Sequence, residues 1–178
     1  MEFGLFKKEW LNEMVTNNGD SVLNLTFENP VLLVFLRHFG CIFCKEALVD
    51  ISKNRSKIET GGLKIVFVHM TDVETAEKNF NKFGLLNVIH VSDPNCRYYT
   101  AFGLVKGSFN QLFGLQSLIR GFSAGIKNGQ APSAQIGDGF QMPGVFVIDK
   151  GELKESFIHN LSSDRPDYLQ LASCCVIK

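Results

Sequence analysis

The sequence predicts an α/β layered domain with a central mixed sheet flanked by helices. Short apolar runs, VLLVFL at 31–36, LKIVFVHM at 63–70 and VFVI at 145–148, read as strands buried on both faces. Segments with helical spacing of apolar residues separate the early strands, and a strand hairpin closes the pattern. The chain has 178 residues, 45% hydrophobic and 20% charged, which fits one domain with a real core.

The elements follow in order. Apolar residues at 5, 6, 10, 11, 14 and 15 of LFKKEWLNEMV predict a helix, so residues 1–20 form an N-terminal helical extension. Asn17-Asn18-Gly19-Asp20 marks a turn, and Val22 to Phe27 is expected as a short edge strand. After the strand 31–36, a helix is predicted from Cys44 to Ile58, with Ala47, Leu48, Ile51 and Ile58 on one side and Gly61-Gly62 at its end. The second strand is 63–70. Asp72 caps a helix through Phe83, with Gly84 at its end. Asn87 to Val91 is the third strand, and Asp93-Pro94 opens a short helix through Phe102. The strand 145–148, a turn at Asp149-Lys150-Gly151-Glu152 and a return strand from Leu153 to Ile158 make the hairpin. Ser163 or Asp164 is expected to cap a last helix from Arg165 to Ala172. Between Lys106 and Met142 the rhythm breaks; this insertion of about 106–142 carries a helix expected over Phe109–Phe122 and is too short for its own core.

Charge narrows the function classes. Lys+Arg and Asp+Glu both total 18, which leaves no electrostatic case for nucleic acid or an anionic membrane as main partner. MEFGLFKKEW lacks the basic-then-apolar order of a signal peptide, and no apolar run approaches the roughly 20 residues needed to span a bilayer. The expected location is cytoplasmic, where five cysteines, an odd number, point to catalytic or metal roles before a disulfide framework.

Two of the five carry the chemistry. In FLRHFGCIFCKE, Cys41 and Cys44 follow the first buried strand, with Cys41 at the first turn of the next helix. Unpaired amides and the helix dipole there stabilise a thiolate; Arg37 adds a cation and His38 is expected to add another. Two residues of spacing let Cys44 reach back to Cys41, so Cys41 is expected as the exposed nucleophile and Cys44 as the buried resolving thiol. The competing readings are two incidental thiols, or half of a zinc site that would need a second ligand pair. No metal ligand set is expected from Cys96, Cys174, Cys175 and the histidines, none at finger-like spacing. Gln141-Met142-Pro143-Gly144 leads straight into VFVI, and Pro143 is expected to be cis, leaving the preceding backbone open to a docking chain. His69 and His90 read as core histidines, Cys96 as structural, and the SCCVIK ending does not suit a prenylation signal. Phe109, Phe113, Phe122 and Phe140 are candidates to line an apolar groove beside the site.

FLRHFGCIFC after VLLV, then SDPNCRYYTAFGL and IGDGFQMPGVFVIDKGEL, resemble the peroxiredoxin-like 2 group of the alkyl hydroperoxide reductase/thiol-specific antioxidant superfamily, which includes prostamide/prostaglandin F synthases. The resemblance covers roughly Val22 to Leu171. It implies a single thioredoxin-like domain over 1–178 and reduction of a peroxide, endoperoxide or disulfide by a Cys41–Cys44 redox pair. It further implies no bound cofactor, with electrons from thioredoxin or another thiol donor. Arg37, His38, Gly40, Met142 and Pro143 would shape the site. Two positions depart from the family pattern: His38 stands where Thr or Ser is usual, and Pro143 stands where an arginine is usual. Arg37 or Arg120 would then have to supply the missing cation. A disulfide reductase without peroxidase activity and a non-catalytic binding module of the same fold are the alternatives.

Overall fold

The computed structural model describes residues 7–108 and 138–175. The described chain runs α1 (Lys8–Glu13), α2 (Val22–Glu28), β1 (Val31–Phe35), α3 (Ile42–Thr60), β2 (Lys64–His69), α4 (Val73–Asn81), β3 (Ile89–Ser92), α5 (Arg97–Ala101), β4 (Gly144–Asp149), β5 (Glu152–Ile158) and α6 (Tyr168–Ser173). The strands form one mixed sheet in the order β3-β2-β1-β4-β5. β1 pairs in parallel with β2, and β2 with β3, while β4 runs antiparallel to both β1 and β5. The central strand β1 is therefore bonded on both edges, and all five of its residues are buried.

Side chains alternate along β1 into two cores. Leu32, Val34 and Leu36 pack with Leu48 and Ile51 of α3, Phe80 of α4 and Tyr168 of α6. Val31, Leu33 and Phe35 pack with Leu11 of α1, Leu25 of α2 and Tyr99 of α5. On this second face Phe35 meets Tyr99, Phe102 and Phe146 at ring-centroid distances of 5.0, 4.9 and 5.7 Å. Tyr99 is fully buried, and its hydroxyl donates to the carbonyls of Leu36 and, at 3.1 Å, Val68. Those carbonyls lie at the ends of β1 and β2, so one hydroxyl pins the point where the chain leaves the sheet for α3.

Several boundaries differ from expectation. Residues 22–27 form helix α2 instead of an edge strand. Ser21 caps it by accepting from the Asn24 N–H at 3.2 Å, and Val22, Leu25 and Thr26 bury one helical face. Six residues are too few for periodicity to separate the two states. α1 is shorter than expected because Val15 leaves the helix to bridge Ser21 across the Thr16–Asp20 turn; Leu5 and Phe6 lie outside the described residues. α6 starts at Tyr168, not Arg165. The Asp164 carboxylate is taken by the Asn160 and Leu161 N–H groups at 2.7 and 2.8 Å, Pro166 has no N–H, and Asp167 caps the helix. Asp72 caps α4 as expected, accepting from the Thr75 N–H at 2.8 Å.

His69 and His90 are core histidines bonded to one another, Nε2 to Nδ1, at 2.8 Å. His69 Nδ1 accepts from the Thr71 N–H at 3.4 Å, which makes His69 Nε2 the donor. Burial pulls His69 down to about 3, and it lowers His90. The other two histidines behave alike: burial takes both His38 and His159 to about 4.

Below the unfolded histidine value of about 6.5, the unfolded chain binds protons that the native state refuses, so stability falls as pH drops from about 6.5 towards 4. The urea midpoint should be lower at pH 5 than at pH 7.5; equal midpoints would contradict neutral burial of the four imidazoles. Tyr99→Phe takes the hydroxyl from the buried Leu36 carbonyl, while the Val68 carbonyl keeps the Leu36 N–H, and should destabilise by about 1–2 kcal/mol in urea unfolding.

Candidate active site

The site grows from the junction of β1 and α3. β1 delivers Leu36, whose N–H still bonds the Val68 carbonyl at 2.9 Å, and the chain then turns over His38, Phe39 and Gly40. The Cys41 N–H closes that turn on the His38 carbonyl at 3.0 Å, with Gly40 buried inside it. Cys41 is the N-cap of α3, with φ −74° and ψ 130°. Its own carbonyl accepts the Lys45 N–H at 3.1 Å as α3 begins, so its thiol sits at the head of a 19-residue helix.

Arg37 ties this junction together. Its Nη1 donates to Cys41 Sγ at 3.2 Å, while its backbone N–H donates to Cys44 Sγ, also at 3.2 Å. The remaining face of the guanidinium is anchored on the Gly139 carbonyl through Nε at 3.0 Å and through Nη2. Arg37 is itself only 5% exposed, so the cation is fixed in a dry environment. Both thiols are free. The Cys41 thiol is pulled down to about 6 by the hydrogen bond from Cys44 and by the Arg37 charge, with the Phe43 and Cys44 amides acting the same way against burial. Cys44 moves in the opposite direction, well above the ordinary thiol range, because it gives that hydrogen bond and is buried.

The segment before β4 completes the site. Asp138 pairs with Lys106 at 2.8 Å and accepts from the Phe140 N–H at 2.8 Å, setting the turn that presents the Gly139 carbonyl. Buried Gln141 donates from Nε2 to the Leu104 carbonyl at 2.7 Å, and the Met142 N–H bonds the Val105 carbonyl at 3.3 Å. Pro143 then lines a small cavity together with Cys41, Cys44 and His159.

The structure thus brings Cys41, Cys44, Arg37 and Pro143 together, with His38, Gly40 and Met142 beside them. Four expectations need correction. Cys41 is not exposed: it is 6% accessible against 5% for Cys44, because the Arg37 guanidinium bonded to it is also buried against it. Pro143 is trans, since no described peptide bond is cis; trans is the intrinsic preference of an X–Pro bond by about 0.5–1 kcal/mol. His38 adds no charge, because burial and Arg37 hold it neutral with a value of about 4. α3 begins at Ile42, two residues before the expected start at Cys44, and Cys41 is its N-cap. Among the described residues no three His, Cys, Asp or Glu side chains converge as a metal set. Arg120, Phe109, Phe113, Phe122 and the 109–122 helix lie outside the described residues, while Phe140 is described and exposed. Sequence reasoning missed the Gly139 carbonyl, Gln141 and His159. The Asp138-Gly139 pair, a turn signal in the letters, hinted at the first; nothing local marked the other two.

Arg37→Met removes the cation from the thiolate and should raise the Cys41 pKa. The pH midpoint of iodoacetamide alkylation at Cys41 should move from near 6 towards the free-thiol value of about 8.5. An unmoved midpoint would mean that the guanidinium does not stabilise the thiolate.

Known proteins carry the same architecture. The model of the AhpC/TSA family matches residues 12–156. A prostamide/prostaglandin F synthase from Salmo salar is 26% identical over 90% of this chain and 80% of its own. The chloroplastic thioredoxin-like protein AAED1 of Arabidopsis thaliana is 22% identical over 89% of this chain and 67% of its own. Among solved structures, Xanthomonas campestris peroxiredoxin Q superposes with a TM-score of 0.57 at 15% identity, covering 82% of this chain and 78% of its own. A putative thiol:disulfide interchange protein DsbE from Chlorobium tepidum superposes at 0.52 with 17% identity over the same shares. No described helix is long and apolar enough to cross a membrane. With its thioredoxin-like sheet order and a family match over most of its length, the chain belongs to the AhpC/TSA family of peroxiredoxin-like thiol oxidoreductases.

Proposed function

We propose that Cys41 is the attacking thiol and Cys44 the resolving thiol of a peroxide or disulfide reductase. The observation that carries this reading is the Arg37 Nη1 contact to Cys41 Sγ at 3.2 Å, at the head of α3. A cation fixed on the sulfur holds it as thiolate near neutral pH, and the same guanidinium is positioned to stabilise charge on the leaving oxygen.

The Cys41 thiolate attacks the terminal oxygen of a hydroperoxide, the O–O bond breaks, and a proton from solvent completes the alcohol, leaving Cys41 as sulfenic acid; an endoperoxide instead leaves a sulfenate ester on Cys41, and its alkoxide departs as a second alcohol, in place of water, when Cys44 attacks. The Cys44 sulfur then attacks Cys41, a disulfide forms and water leaves. A donor dithiol, thioredoxin or another thiol protein, returns two electrons by exchange and is itself oxidised. With a disulfide substrate, the thiolate attacks sulfur instead and releases a thiol. No bound cofactor takes part. The cycle suits a reducing compartment such as the cytoplasm.

The disulfide-reductase reading has its own support. Pro143 lines the cysteine cavity where the resembling peroxiredoxins carry an arginine, which leaves Arg37 as the described cation on the sulfur.

Cys41→Ser should abolish turnover of hydrogen peroxide, an organic hydroperoxide and a disulfide protein in parallel thioredoxin-coupled assays. Cys44→Ser should consume about one equivalent of peroxide and stop, with a sulfenic acid detectable by dimedone mass shift. Full turnover by Cys41→Ser would sink the reading, and a wild-type Cys41 with unshifted, unreactive thiol chemistry would favour a non-catalytic binding module. Turnover of the disulfide alone would select the reductase.

A further inference from the structure

The cycle assigned to Cys41 and Cys44 leaves one proton without an owner. Cys44 must lose its proton to attack Cys41, yet it is buried and held as a thiol. The cavity it lines measures about 30 Å³, room for one water-sized molecule, and it reaches His159 at the end of β5. His159 is nine-tenths buried. Its ring is fixed edge-on to Phe157 at 5.0 Å, the backbone of Pro143 and Asp164 lies beside it, and Nδ1 has no hydrogen-bond partner. A buried imidazole nitrogen without a partner is costly to keep and points to a proton exchanged there during function.

We propose that His159 takes the proton of Cys44 across this cavity when Cys44 attacks Cys41, and returns it to the departing group. The relay rests on the redox role of Cys41 and Cys44 proposed above. In the peroxide cycle the Cys44–H bond breaks, the S–S bond forms, and the proton carried by His159 leaves with the sulfenic hydroxide as water. No net charge or electron is left behind.

The surrounding groups fit this assignment. α3 contributes Cys44 and Glu46 to the cavity, the end of β1 contributes Arg37, the β5–α6 loop contributes Asp164 and Arg165, and α6 contributes Tyr168. Glu46 is the rival base; its Oε1 lies 3.6 Å from Arg165 Nη1, so that carboxylate already has a cationic partner. Arg37 is bound to Cys41 and Gly139, and burial keeps Tyr168 protonated. Burial also keeps His159 neutral down to about pH 4, so its lone pair is present throughout the working range. Burial disfavours a charge on either group alone; a proton passed from Cys44 to His159 creates both charges together, as an ion pair across one cavity.

The test loads Cys41 with a nitroaromatic disulfide whose thiolate absorbs visible light, in a Cys96→Ser, Cys174→Ser, Cys175→Ser background. Attack by Cys44 releases the chromophore, and adding Cys44→Ser must hold the adduct. With His159 present, release should be nearly flat from about pH 5.5 to 8. In His159→Asn and His159→Gln it should slow by about tenfold or more at pH 7 and rise about tenfold per pH unit, as hydroxide replaces the base. The rate of loading at Cys41 should be unchanged, which separates loss of the relay from a collapsed site. Unslowed release, or slowing with a flat pH profile, overturns the relay. The same signature in Glu46→Gln but not in the His159 variants overturns it too. Loading needs no peroxide, so failure of peroxide turnover and failure of the relay are read separately.

Discussion

A buried thiolate needs a cation that cannot leave, and that requirement organises this site. Arg37 meets it from the end of the central strand, where both edges of β1 are bonded and Tyr99 holds the last carbonyl. A guanidinium buried beside sulfur has donors left over, and unpaired donors in a dry site cost free energy. The Gly139 carbonyl takes two of them. The position of the 138–142 segment therefore follows from the charge on Arg37, and the entry of β4 follows from that segment.

The two thiols owe their different chemistry to this arrangement, since they are almost equally buried. Cys41 receives a side-chain cation and a hydrogen bond from Cys44, while Cys44 donates that bond deeper in the cavity. Burial alone would raise both pKa values; the direction of one hydrogen bond and the reach of one guanidinium separate them. The histidines show the converse. His38 stands beside the guanidinium and stays neutral, and His69, His90 and His159 are kept neutral by burial.

The departures from the peroxiredoxin pattern make physical sense in this light. Such a site needs a cation on the sulfur and a hydrogen-bonded frame around it, and chain position is secondary. Here the cation comes from four residues before Cys41, not from the position that Pro143 occupies. The residue at 38 contributes its backbone carbonyl to the Cys41 turn, which any side chain permits.

The amino-acid pattern by itself determined the strands, the α3 and α4 helices, the Asp72 cap and the position of Cys41 at a strand–helix junction. These depend on local periodicity, capping and turn chemistry, which neighbouring residues settle among themselves. The short segments were decided elsewhere: residues 22–27 became helical because a packed face and the Ser21 cap favoured it, and α6 waited until Asp167 because Asp164 was engaged in its own turn. Only the tertiary structure placed the Gly139 carbonyl on Arg37, 102 residues away, buried Cys41, and turned His159 towards the cysteine cavity. Charge burial and long-range hydrogen bonding join residues whose separation along the chain leaves no periodic trace, so the cysteine pair was legible in the letters and its electrostatic setting was not.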